Sequence, residues 1–181
     1  MKSSNIIKLT LAALAITLAS CSEKNKDTTS KAETKTPPIS LSPYLLTEAP
    51  ADPIDIIDLR KSATPGDTVT FSGQALGADK IFMANRAIMT LGDPNKLISC
   101  DLGTCKGCPT PWDVCCDTPE DITSSIVTVQ IVDNSGSPLK AGIKGLGGIK
   151  ELSKLVITGT VAPGSNHKNM LINATGIFIK K

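Results

Sequence analysis

Between residues 68 and 179 the apolar side chains return at every second position, in short runs broken by Gly, Pro, Asn and Asp. Val69, Phe71 and Gly73 alternate with Thr68, Thr70 and Ser72. A period of two is that of a half-buried strand, because successive side chains leave opposite faces of an extended backbone. Further runs of strand character lie at 87–91, 126–132, 155–161 and 170–179. Gly92-Asp93-Pro94 and Asp133-Asn134-Ser135-Gly136 stop two of them, and Ala162-Pro163-Gly164-Ser165-Asn166 joins the last pair as a hairpin-type turn. Gly73 inside the first run predicts a bulge or bend. Upstream, Asp52-Pro53 has the form of an N-cap and first helical residue, which predicts a short helix over 53–62 carrying Ile54, Ile57, Leu59 and Ala63. The glycine-punctuated stretch 145–154 predicts a turn running into a helix over 149–154.

Aromatics make up 3% of the chain, so a core built from these runs must be aliphatic. The predicted order is strand, strand, long insertion, strand, helical turn, strand, strand. The fold class is therefore mainly β. Gly66-Asp67-Thr68-Val69-Thr70-Phe71-Ser72-Gly73 resembles the first strand of an OB-fold with its bending glycine. Leu155-Val156-Ile157-Thr158-Gly159-Thr160-Val161 and Leu171-Ile172-Asn173-Ala174-Thr175-Gly176-Ile177 resemble its last hairpin. The resemblance implies a five-stranded, OB-like barrel with short helices and a long Cys-rich loop between strands 2 and 3. A β-sandwich is the alternative, though five strands are few for one. The resemblance is one of pattern and carries no catalytic motif, so it implies no activity.

The N-terminus sets the compartment. Lys2 and Lys8 precede a short apolar run that ends in Leu18-Ala19-Ser20-Cys21. This is a charged start, an apolar stretch too short to span a bilayer and a small-residue cleavage site. Its last four residues resemble the lipobox of bacterial lipoproteins. The resemblance implies a signal peptide over 1–20 and lipidation at Cys21, with diacylglycerol on the thiol and an acyl group such as palmitate on the amine. Such an anchor places the chain on the membrane without threading it. Ser22 stands where Asp would signal inner-membrane retention, which favours the outer membrane, facing the periplasm. Residues 22–38 hold four Lys, three acidic residues and Pro37-Pro38 with almost no apolar content, and read as a disordered tether. The folded domain is expected over 39–181. Removing the leader takes Lys2 and Lys8 from the 19 basic residues and leaves them equal to the 17 acidic ones. That balance, with few aromatics, gives no footprint for nucleic acid.

Five of the six cysteines fall between Cys100 and Cys116, in a Cys-rich loop expected over 99–119. An exported chain allows Cys100, Cys105, Cys108, Cys115 and Cys116 to form disulfides, which restrain a long loop that has no core of its own. Five leave one odd, and spacing does not choose the pairing. A metal centre is the competing reading. Cys105, Cys108, Cys115 and Cys116, with Cys100 as an alternative, would supply thiolates to zinc, or to copper with Met83, Met89 or Met170 as soft ligands. A second Cys-x2-Cys is absent, and adjacent cysteines chelate one tetrahedral centre poorly. Thiol exchange by Cys105-Lys106-Gly107-Cys108 lacks the usual βαβ setting, and Pro109 and Pro111 oppose a helix directly after it. Trp112, the single Trp, is either a partner anchor or a cover for the cysteine bridges.

No catalytic constellation accompanies these residues. His167, the one histidine, lies in a polar turn, and no Gly-x-Ser-x-Gly elbow is present. Gly142-Ile143-Lys144-Gly145-Leu146-Gly147-Gly148 lacks the Lys-Ser/Thr of a phosphate loop. The expectation is a non-enzymatic, membrane-anchored binding module that meets an envelope protein through a disulfide-braced Cys/Trp loop and needs no cofactor. The alternative is a metal-binding or electron-transfer lipoprotein.

Overall fold

The computed structural model describes residues 39–103 and 107–181. The signal, Cys21, the tether over 22–38 and Cys105 lie outside the described residues. Strands β1 (Ile54–Asp55), β2 (Thr68–Gln74), β3 (Ile88–Gly92), β4 (Ile126–Gln130), β5 (Lys154–Val161) and β6 (Leu171–Ile179) form one sheet. Its order is β1-β2-β3-β4-β6-β5, and β5 returns to pair with β2. The five strands β2 to β6 therefore close into a mixed barrel, and β1 adds to β2 in parallel. Within the barrel, β4 and β6 run parallel while the remaining pairs are antiparallel. This is the OB-like order expected from sequence, with the cysteines between the second and third barrel strands.

The alternation behaves as read. Val69, Phe71, Met89, Leu91, Val127, Val129, Leu155, Ile157, Val161, Ile172 and Ile177 point into one buried cluster. Phe71 is the largest side chain that is fully buried, and aliphatics fill the rest. At about 25 cal/mol per Å2 of apolar area removed from water, this interior is the main source of stability.

Three local expectations are corrected. The first helix, α1, spans Ile56–Ser62 and not 53–62, because Ile54 and Asp55 extend against Phe71 and Ser72 as β1. Its buried face is Ile56 and Leu59, not Ile54 and Ile57. Gly73 makes no bulge. It pairs regularly with Leu155, and its bare Cα admits Ile56, whose Cδ1 would stand 2.8 Å from a Cβ there. The register shift lies instead at Thr158/Gly159 in β5. Finally, the connection from β4 to β5 holds only a single 3-10 turn, Leu146–Gly148, where a helix over 149–154 was expected. The second helix, α2 (Pro119–Ser125), follows the Cys-rich loop directly. Thr118 caps it by accepting a hydrogen bond from the Asp121 amide at 3.1 Å, with Pro119 opening the first turn.

Candidate functional site: the Cys-rich loop

The connection over 93–118 begins at Asp93, a charged residue that is buried directly after β3. Its carboxylate accepts hydrogen bonds from the Ile57 amide at 3.2 Å and the Asn95 amide at 2.9 Å. The first of these caps α1 from a remote part of the chain, and the helix needs it because Asp55 makes no side-chain cap. One carboxylate thus fixes both the start of the loop and the start of α1. The Asp93 amide in turn donates to Ser125 O at 2.8 Å, which joins the loop's beginning to the end of α2.

The loop has a small core of its own. Leu97 and Val114 bury themselves against Leu76, flanked by Trp112, Ile122, Ile126 and Leu152. Trp112 is half-buried and touches both this cluster and the barrel interior. Its indole N–H donates to Asp79 O at 2.9 Å, and its carbonyl accepts from the Gly77 amide at 3.1 Å. In the described loop, the single Trp is a pillar between loop and barrel.

Two backbone hydrogen bonds lay the arms of the loop side by side, Cys100 N to Asp113 O at 2.8 Å and Asp101 N to Pro111 O at 3.0 Å. This pairing brings sulfurs together. Cys100, which is buried, has its Sγ 3.6 Å from that of Cys115, which is exposed. The Cys100, Cys115 and Cys116 sulfurs all lie within 4.8 Å of one another. Cys108 lies outside this group of three but is hydrogen-bonded to Cys100, and its sulfur is 3.4 Å from the Thr110 hydroxyl. Cys100, Cys108 and Cys115 are free thiols. Burial, reinforced by hydrogen bonds to Cys108 and Cys115, pushes the Cys100 thiol up to about 12. The Thr110 hydroxyl holds the Cys108 thiol below its ordinary value.

Among the described residues, the alternative ligand Cys100 is the one grouped with the adjacent pair. Cys100 joins Cys115 and Cys116, and Cys108 does not belong to the group. Three sulfurs at this spacing would fit a soft or borderline ion such as copper(I) or zinc once the disulfide that holds Cys116 is reduced and the thiols are deprotonated. Of the methionines weighed as soft ligands, Met89 and Met170 are packed in the barrel core, and Met83 is exposed.

The loop exposes two large apolar side chains among its polar ones. Leu102 is 80% exposed and Ile98 56%. Sequence reasoning passed over both, since neither belongs to a motif. The signal present in the sequence was a pair of large aliphatics beside Cys100 in a stretch with no strand period. A separate cleft of about 690 Å3 lies between the end of α1, α2 and the β5–β6 connection. It contains exposed His167, but its cationic groups are engaged. Arg60 donates to Ile126 O at 2.8 Å and to His167 O at 2.5 Å, and Lys61 pairs with Asp58 at 3.1 Å. Among the described residues no helix is long and apolar enough to cross a membrane.

No protein-family model, curated protein or solved structure matches the chain.

Proposed function

We propose that the chain is a lipid-anchored bacterial envelope protein, held by Cys21, whose barrel presents the 93–118 loop to a protein partner. The observation that carries this reading is the pairing of a firmly seated loop with an exposed apolar tip. Asp93, Trp112 and the Leu97–Val114 cluster fix the loop from beneath, while Leu102 and Ile98 face solvent. Preorganised apolar side chains lower the ordering cost of association. Trp112 serves the interface from below by setting the loop's position. Disulfides are the proposed brace, supported by the close approach of Cys100 and Cys115 and by Cys116, whose sulfur is disulfide-bonded. The lipobox-like Leu18-Ala19-Ser20-Cys21 supports the anchor, and Ser22 supports an outer-membrane address.

The test is a photoreactive residue placed at Leu102 in the full chain, activated in intact cells, with Ser135 as the comparison position. A discrete protein adduct from position 102, absent at 135 and lost when Ile98 is also changed to Asp, is the expected result. Equal labelling from both positions would remove the reading. Fatty-acid labelling abolished by Cys21→Ser checks the anchor separately.

A metal-binding function is the second reading, favoured by the 4.8 Å grouping of Cys100, Cys115 and Cys116. It requires all three as thiolates, and therefore reduction of the disulfide that holds Cys116. Stoichiometric zinc or copper in protein isolated from its native membrane, with these cysteines unoxidised, would establish it in place of the disulfide brace.

A further inference from the structure

The sulfurs of Cys100 and Cys115 belong to opposite arms of the loop, and backbone pairing at Cys100 and Asp113 holds them in register. Their 3.6 Å separation exceeds a disulfide bond of ~2.05 Å by a shift that side-chain rotation and small backbone movement can supply. One thiol is exposed and the other buried, so the two meet a reagent in a fixed order. We propose that Cys100 and Cys115 form a reversible dithiol–disulfide pair, a redox site whose substrate is a disulfide, and that its state governs the loop's order. The inference rests on the disulfide-braced reading and adds to it the connectivity and its reversibility.

The chemistry balances with a disulfide oxidant, RSSR. The Cys115 thiolate attacks one sulfur of RSSR, the R–S–S–R bond breaks, and one RS− leaves. The Cys100 sulfur then attacks the Cys115 sulfur of the mixed disulfide, and a second RS− leaves. The two protein thiol protons end on the two RSH, and two electrons pass from the pair to the reagent. Cys100 is buried where Cys115 is exposed, which makes this second step the slow one. The ring so closed contains Leu102, Cys108 and Trp112, so the exposed tip and its pillar are both constrained. Cys108 remains the odd thiol, hydrogen-bonded to Thr110.

The experiment uses the full chain, reduced and then equilibrated across a series of glutathione and glutathione-disulfide mixtures. Each sample is quenched in acid, alkylated and peptide-mapped, and Trp112 emission is followed in parallel. The expected outcome is a Cys100–Cys115 linkage that appears and disappears reversibly. Trp112 emission should follow it in one two-electron transition, with Cys108 alkylated throughout. Cys100→Ser and Cys115→Ser should each abolish the transition, whereas Cys108→Ser should keep it. Alkylation of Cys100 across the whole series would overturn the proposal, as would its linkage to Cys108 or Cys116. The mapping of the unmodified chain decides this even if a variant fails to fold. If the linkage forms but position 102 yields no discrete adduct in cells, the binding reading alone fails. If the adduct forms without the linkage, this inference alone fails.

Discussion

Gly159 sits where β5 slips register against β6, and a Cβ there would stand 2.5 Å from Asn173 O and 3.0 Å from the Ala174 Cα. Both neighbours are backbone, so nothing flexible can yield. Gly159→Ala is expected to lower stability by about 1–3 kcal/mol, read as a fall in the denaturant midpoint at unchanged slope. Asp93 is the second decisive residue. Asp93→Ala orphans the Ile57 and Asn95 amides and should cost about 1–3 kcal/mol, with Asp93→Asn milder because one acceptor oxygen remains. Amide exchange at Ile57 would report the lost cap directly. Cys100 supplies a pH-dependent test. Its folded pKa is raised to about 12 from 9.0, so in the reduced protein the folded state holds the proton more tightly than the unfolded one. The stabilisation is complete below pH 9 and is lost as pH rises toward 12. Alkylation of Cys100 should accordingly lag that of Cys108 at pH 8, and equal rates would contradict the buried placement.

At the scale of elements, the loop over 93–118 is the part whose order depends on few contacts. Trp112→Ala removes the pillar shared by the two clusters and should cost on the order of 2–3 kcal/mol. Trp112→Phe, which keeps packing but loses the bond to Asp79 O, should cost about 1 kcal/mol. Hydrogen exchange should show the loss locally, at the Gly77, Cys100 and Asp101 amides, with β5 and β6 unaffected. The strands were legible because a two-residue period survives in sequence whatever lies on the other side of the barrel. The helices were less so. Thr118-Pro119-Glu120-Asp121 carried a capping signal, but its place beside the cysteines drew it into the loop. The start of α1 was misplaced because its working cap comes from Asp93, remote in sequence, and local spacing cannot show that.

For the whole molecule, acid stability follows from carboxylates held below their ordinary range. Asp67 is lowered by hydrogen bonds from the Thr64 amide and hydroxyl, Asp121 by Lys96 and then Thr118, and Asp133 by Ser135 and then the Ser137 amide. Lowered folded values mean stabilisation present above about pH 4 and lost as pH falls through them. The thermal midpoint should be flat from neutrality to about pH 4 and decline below it, and Asp67→Asn with Asp133→Asn should flatten that decline. The sequence by itself determined the five strands, the aliphatic core and the place of the cysteine segment between the second and third barrel strands. These depend on period, composition and short motifs, which are local properties. Only the tertiary structure decided which of the described cysteines meet, that Trp112 supports the loop from within, and that Leu102 and Ile98 are exposed on it. Each of these follows from barrel closure and from the backbone pairing of Cys100 with Asp113, contacts between residues whose separation in the chain says nothing about their separation in space.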